Sequence, residues 1–81
     1  MTSIYLLSFN QIELEDLEVF LTEEEAKERL MTLYRTIGQQ QFKQDNYHIE
    51  ILQASEQGGF RMTYQGFEIN DQGEFAIIEN H

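Results

Sequence analysis

The 81-residue chain has no cysteine, and it has only five lysine or arginine residues against fifteen aspartate or glutamate residues. Without cysteine, no disulfide framework supports the core, and an intracellular, reducing location is allowed. Five scattered cations cannot form the clustered basic surface that nucleic acid or an anionic membrane requires. We therefore expect no direct binding to nucleic acid and no attachment to a membrane.

A long hydrophobic run is also missing. The apolar run over residues 4–7 is far shorter than a membrane span or the core of a signal peptide. No lysine or arginine precedes it, and polar residues follow it. We therefore expect a cytoplasmic protein. A length of 81 residues is typical of one domain, so we expect a single acidic domain over residues 1–81.

Motifs for catalysis and metal binding are absent too. No serine has the G-x-S-x-G context of an activated nucleophile, and with two histidines and no cysteine there is no zinc motif. His48 falls on the polar face of a predicted strand, where a solvated role is expected. The acidic residues lack the glycine and the alternating register of a calcium-binding EF-hand loop. We expect no enzyme activity, no cofactor and no metal ion.

One helix follows from the spacing of apolar and capping residues. Thr22 and Glu25 have the spacing of a capping box, and acidic residues fill the first helical turn. From Ala26 onwards, apolar side chains recur at helical spacing, and Gly38 suits the position just beyond the last helical residue. These signals predict a helix over residues 23–37.

Strands are predicted on both sides of this helix. Residues 4–9 are apolar on both alternating faces, which is typical of a central strand covered on two sides. A second strand region follows over residues 12–21, with a slip in its alternation at Asp16 that indicates a turn or a bulge. After the helix, alternation recurs over residues 47–51, 60–64, 67–69 and 75–77. Turn residues separate these segments, and Gly66 indicates either a bulge or a second hairpin turn.

The element order is therefore β-β-α-β-β-(β). This order predicts an α+β fold, an antiparallel sheet of four to six strands with a single α-helix packed on one face. In the second strand region, Leu17, Val19 and Leu21 are expected on the buried face. Phe20 then points the other way, so it is either covered by a second layer or exposed for a partner.

The acidic residues are concentrated in one segment, where Lys27 is the one cation. Eight of the fifteen fall within sixteen positions: Glu13, Glu15, Asp16, Glu18, Glu23, Glu24, Glu25 and Glu28. The net charge of the segment, 1 − 8 = −7, makes it repel itself. Glu23 with Lys27, and Glu25 with Arg29, have the spacing of favourable helical ion pairs, so part of the segment has the pattern of ordinary helix surface.

The rest of the segment predicts a surface for a basic partner. Outward carboxylates at alternate positions of a strand lie about 6.6 Å apart, and a row of them can meet basic side chains that otherwise bind a phosphate backbone. The predicted partner-binding residues are Glu13, Glu15, Asp16, Glu18, Phe20, Glu24 and Glu28. The alternative interpretation is that these acidic residues are only solvated surface.

These features predict a non-enzymatic, acidic protein-binding domain that mimics nucleic acid and blocks the basic surface of a nucleic-acid-binding protein. In its size, acidity, lack of cysteine and α+β organisation, the chain resembles the phage and mobile-element inhibitors of restriction or CRISPR enzymes. The resemblance implies an inhibitor of the anti-restriction or anti-CRISPR type. The alternative is a small phage or bacterial structural or housekeeping protein, homodimeric through an exposed sheet edge or helix face, whose acidity only keeps it soluble.

Overall fold

The structure is a computed structural model that describes residues 2–10 and 12–79. Its elements are β1 (Ser3–Ser8), a 3₁₀ turn (Leu14–Asp16), β2 (Glu18–Phe20), α1 (Glu23–Ile37), α2 (Gln39–Gln44), β3 (His48–Ala54), β4 (Phe60–Ile69) and β5 (Phe75–Glu79). The strands form one antiparallel sheet in the order β2-β1-β3-β4-β5, with α1 packed on one face. The predicted α+β class is confirmed.

Helix α1 begins and ends at the predicted residues. The Thr22 hydroxyl accepts a hydrogen bond from the Glu25 N–H at 3.2 Å and donates one to Glu25 Oε1 at 3.2 Å. At the other end, the Gly38 N–H donates to the Tyr34 carbonyl, and Gly38 has a φ of 88°. Residues other than glycine rarely adopt this conformation, so Gly38 allows the chain to leave α1 and start α2 at once.

Alternate side chains of the strands are aligned by the register of the sheet and point toward the helices. Leu7 of β1 lies opposite Ile49 of β3, which lies opposite Phe67 of β4. Helix α2 lies in a segment predicted to be a polar connection, with one further helical turn as an alternative, and it contributes Phe42. The buried core consists of Leu7, Ala26, Leu30, Phe42, Ile49, Phe67 and Ile69. The core therefore lies between the two helices and one face of the sheet.

The segment between β1 and α1 is less regular than predicted. The slip in alternation at Asp16 coincides with the 3₁₀ turn, so a turn at this point is confirmed. Only the three residues of β2 then pair with β1, in place of the long strand region expected over residues 12–21. Glu13 and Glu15 consequently do not lie on a strand.

Strand β2 also presents the opposite face from the one predicted. Leu17, Val19 and Leu21, which were expected to be buried, are 40%, 51% and 74% exposed. Phe20 lies opposite Tyr5 and packs against the core. Of the two alternatives for Phe20, the structure has the covered one. Alternation was correctly recognised, but it does not reveal which of the two faces is covered.

Strand β1 is a central strand, as predicted, because it pairs along both edges. The helices of the described residues cover one of its faces only, so the expected cover on two sides is wrong. Leu6 lies opposite Val19 and Glu50, and Ile4 lies opposite Leu52, all on the side of the sheet away from the core. Both helices in the described part of the chain lie on the other side. One face of the sheet is therefore open.

Strand β4 runs without interruption for ten residues, so Gly66 does not make a second hairpin turn. The predicted alternative, a bulge, is present nearby: the register between β3 and β4 shifts after Ile51, and Thr63 and Tyr64 have no partner residue in β3. A Cβ atom on Gly66 would collide with the carbonyl oxygen of Ile49. The close approach of the two strands beside the bulge therefore requires glycine.

Candidate functional site

The acidic segment, residues 13–28, has two of its eight carboxylates in ion pairs. Arg29 donates from Nε and Nη2 to the two carboxylate oxygens of Glu18, at 3.1 and 3.4 Å. Glu23 Oε2 lies 3.8 Å from Lys27 Nζ, as the helical spacing predicted. The expected pair of Arg29 with Glu25 is wrong, because Arg29 reaches from α1 to β2 instead.

Lys27 is held in place from a second direction. Its Nζ lies 5.4 Å from the ring centroids of both Phe67 and Phe75. A lysine over aromatic faces is attracted by the ring quadrupole while its aliphatic stem covers apolar surface. Lys27 and Arg29 are thus both engaged within the fold, and neither contacts the remaining carboxylates of the segment.

Those remaining carboxylates are exposed and form no ion pair within the described part of the chain. They are Glu13, Glu15, Asp16, Glu24, Glu25 and Glu28. We call these six residues the free acidic surface. The ion pair between Glu18 and Arg29 joins β2, the strand that follows the 3₁₀ turn, to α1.

The 3₁₀ turn brings three of the predicted residues together more closely than a strand would. One carboxylate oxygen from each of Glu13, Glu15 and Asp16 lies within 4.8 Å of the others, and all three residues are exposed. Like charges so close together repel each other and attract cations. A calcium ion takes about six to eight oxygen ligands. Three exposed carboxylates are an ordinary surface feature by comparison, and we assign no metal ion to them.

The other predicted partner-binding residues have different surroundings. Glu24 and Glu28 are exposed on α1, one turn apart. Glu18 is neutralised by Arg29, and Phe20 is partly buried against the core. The structure therefore places Glu13, Glu15, Asp16, Glu24 and Glu28 on the exposed surface, and Phe20 outside it.

Sequence reasoning missed a second surface, on the side of the sheet away from α1. We call it the open face, and its apolar residues are Ile4, Leu6, Val19, Leu52, Phe60, Met62, Tyr64 and Ile78. Val19, Phe60, Met62 and Tyr64 are each more than half exposed. The signal was present in the sequence: one helix can cover one face of a sheet, whereas residues 4–9 are apolar on both faces.

Polar groups of the open face bind each other. Glu50 accepts a hydrogen bond from the Ser8 hydroxyl at 3.3 Å, and its other carboxylate oxygen lies 3.3 Å from Nε2 of His48. Nδ1 of His48 lies 2.7 Å from the Asn46 carbonyl oxygen. His48, expected to be a solvated residue, is thus fixed on both sides of its ring. Both neighbouring atoms are hydrogen-bond acceptors, and both nitrogens of the ring therefore have a polar neighbour within the fold.

A shallow cleft of about 340 Å³ lies beside Phe42 and Tyr47, just before the start of β3. Lys43 and Asp71 form an ion pair across its rim. Burial raises the pKa of the Tyr47 hydroxyl, the nearby Asp45 carboxylate raises it further, and Arg29 opposes them. The raised pKa keeps Tyr47 in its neutral form.

No helix within residues 2–10 and 12–79 has the length and hydrophobicity needed to cross a membrane. No family model, no curated protein and no solved structure matches this chain. Its function therefore has to be argued from its own surfaces.

Proposed function

We propose that this chain is a non-enzymatic, cytoplasmic protein-binding domain that mimics nucleic acid and blocks the basic surface of a nucleic-acid-binding protein. The observation that carries the proposal is the free acidic surface, six exposed carboxylates from one segment that form no ion pair with any cation of the described residues. Two of the three cations of α1 are engaged elsewhere: Lys27 on Glu23 and two phenylalanine rings, and Arg29 on Glu18.

Electrostatics explains why such a surface suits a basic partner. Solvent-exposed ion pairs contribute only about 0 to 1 kcal/mol to stability, so folding does not require this arrangement of charge. Solubility alone does not require the charges to be concentrated in one segment. A concentrated negative field does accelerate association with a basic surface and excludes partners of the wrong charge.

The proposed form of this activity is inhibition of a restriction or CRISPR enzyme. RNA-guided enzymes of the CRISPR type hold a nucleic-acid duplex by its backbone in a positively charged channel. A protein that presents carboxylates to the same lysine and arginine side chains competes with the phosphates for them. The partner is thus a basic protein, and nucleic acid itself is not bound by this chain.

Capture of the partner followed by competition tests the proposal. The tagged protein is incubated with lysate of its native host at low salt, and the retained proteins are identified by mass spectrometry. We expect a basic nucleic-acid-binding protein that is released by added duplex DNA or RNA and by high salt, because screening weakens exposed charge pairs. Retention of a partner that nucleic acid does not displace would contradict the mimicry and favour the alternative, acidity for solubility alone.

A further inference from the structure

The open face of the sheet has several exposed apolar side chains from neighbouring strands. Of the eight large hydrophobic residues with the greatest exposure, Val19, Phe60, Met62 and Tyr64 belong to this face. Half-buried Ile4, Leu6, Leu52 and Ile78 fill the space between them. A contiguous apolar surface of this kind on a small domain indicates an interaction site.

The size of the face is sufficient for a dimer. Five strands spaced about 4.8 Å apart, each with about six residues of about 3.3 Å, give a projected area of roughly 480 Å². Two such faces together bury on the order of 1,000 Å², and the relief of the side chains adds to this figure. Specific protein interfaces begin at about this area, and two sheets that pack face to face lie about 10 Å apart, as in a β-sandwich.

The distribution of charge favours a second copy of this chain as the occupant. The net charge of −10 would oppose association through most other surfaces, because like charges would face each other. The free acidic surface belongs to α1 and to the turn before β2, and α1 lies on the opposite side of the sheet. When two open faces meet, the two α1 helices form the outer layers, and both sheets lie between them. The distance between the carboxylates of the two helices then exceeds the Debye length of about 8 Å at physiological salt, so their repulsion is largely screened.

The open face also needs no complementary charge from a different protein. Glu50, the one carboxylate near its centre, already has Ser8 and His48 as partners. Glu68 is exposed beside β5, toward the rim. A surface whose polar groups satisfy each other can pack against an identical surface, as a two-fold interface requires.

The strained backbone at Tyr64 also supports an interface on the open face. Tyr64 has a φ of 61°, a left-handed conformation that is unfavourable for a bulky residue. The bulge that contains it places Tyr64 beside a depression of about 40 Å³, which Met62, Ile78 and Gly66 help to line. Strained backbone conformations of this kind are found mainly at functional and binding sites. The depression has room for the tip of one apolar side chain from a facing sheet.

We propose that this chain forms a homodimer in which the open faces of two copies pack against each other across a two-fold axis. The assembly has four layers, with the two sheets inside and an acidic helix on each outer surface. This interface is different from a sheet edge or a helix face. It leaves Glu24, Glu25 and Glu28 on α1 of both copies accessible, and the proposal does not depend on the identity of any basic partner.

Sedimentation equilibrium of the purified protein, from micromolar to several hundred micromolar, tests the proposal. The wild type is expected at twice the monomer mass of 9.6 kDa.

Val19→Glu and Met62→Glu, on β2 and β4, each place a carboxylate in the interface. Because a buried, unpaired charge is very unfavourable, the dimer dissociation constant should rise at least a hundredfold, about 2.8 kcal/mol. Both residues are about half exposed, so each monomer should fold, which circular dichroism verifies.

Ile77→Glu is the matched control. Ile77 is an exposed apolar residue of β5 that lies opposite Phe67, on the helix side of the sheet, and it is 81% exposed. The substitution adds the same charge and should leave the dimer intact. A wild type that sediments at 9.6 kDa over the whole range overturns the proposal. So does a dimer that Val19→Glu and Met62→Glu weaken no more than Ile77→Glu, because the interface then lies elsewhere.

Discussion

Tyr47 is a residue whose surroundings change its chemistry. Its ring stacks on Phe9 and on Phe42, with centroids 4.8 and 5.4 Å away. Burial of the hydroxyl and the neighbouring Asp45 carboxylate raise its pKa, since both disfavour the phenolate, and Arg29 only partly offsets them. The folded state therefore binds the phenolic proton more tightly than the unfolded chain does.

This raised pKa predicts a specific loss of stability at alkaline pH. The contribution of neutral Tyr47 is fully present below about pH 10, the pKa of an unfolded tyrosine, and is lost as pH rises through the folded pKa. Tyr47→Phe lacks the ionising group, whereas all other titrating groups remain. Urea unfolding at about pH 8 and about pH 11 should show that the wild type loses more stability than Tyr47→Phe. Equal losses in the two proteins would contradict the assignment.

The predicted ion pair of Arg29 was wrong because a residue from another element competes for it. Glu25 and Arg29 have ideal helical spacing, yet Arg29 binds Glu18 of β2. Spacing describes neighbours on one helix and contains no information about a strand packed beside it. Glu23 and Lys27 do form the predicted pair, and within the described residues neither has a second ion-pair partner. Local rules therefore give candidate partners, and the fold selects among them.

At the scale of elements, α1 depends on its N-terminal cap. Thr22 has an extended conformation, and its hydroxyl satisfies the otherwise unpaired N–H of Glu25. Thr22→Ala should lower the free energy of unfolding by about 1 kcal/mol, because this N–H loses its partner inside the protein. Thr22→Ser should restore most of the loss. Urea denaturation followed by circular dichroism measures both.

Thr36→Ala is the control for this prediction. Thr36 is exposed in the last turn of α1, where its hydroxyl donates to the Thr32 carbonyl. Its replacement should change stability by less than about 0.5 kcal/mol, since the carbonyl keeps water as a partner. Equal effects of Thr22→Ala and Thr36→Ala would show that the cap has no special role.

The helix was predictable to the residue, whereas the strands were predictable only in part. Both ends of α1 are encoded locally, by the Thr22 cap and by Gly38. The face that a strand buries is set by what lies above it. Val19 and Phe20 alternate equally well in either orientation, and only α1 on one side of the sheet makes Phe20 the inner residue. The open face could not be located without this information.

At the scale of the whole molecule, the exposed carboxylates of α1 lie on one side of the sheet, and the open face with its apolar residues lies on the other. The acidic composition was visible in the sequence. The sequence did not show which carboxylates of the acidic segment form ion pairs. In the structure, Arg29 pairs with Glu18 and Lys27 pairs with Glu23, and the other six form no ion pair within the described residues.

The most direct test of a functional acidic surface is a comparison of two charge reversals of equal size. Glu13→Lys with Glu15→Lys changes the net charge from −10 to −6, a change of 2 × 2 = 4, and so does Glu56→Lys with Glu74→Lys. All four residues are exposed, so both variants should melt like the wild type. We predict that the first pair abolishes capture of the basic partner and that the second retains it. Equal capture by both variants, or equal loss, would contradict a binding role for the free acidic surface.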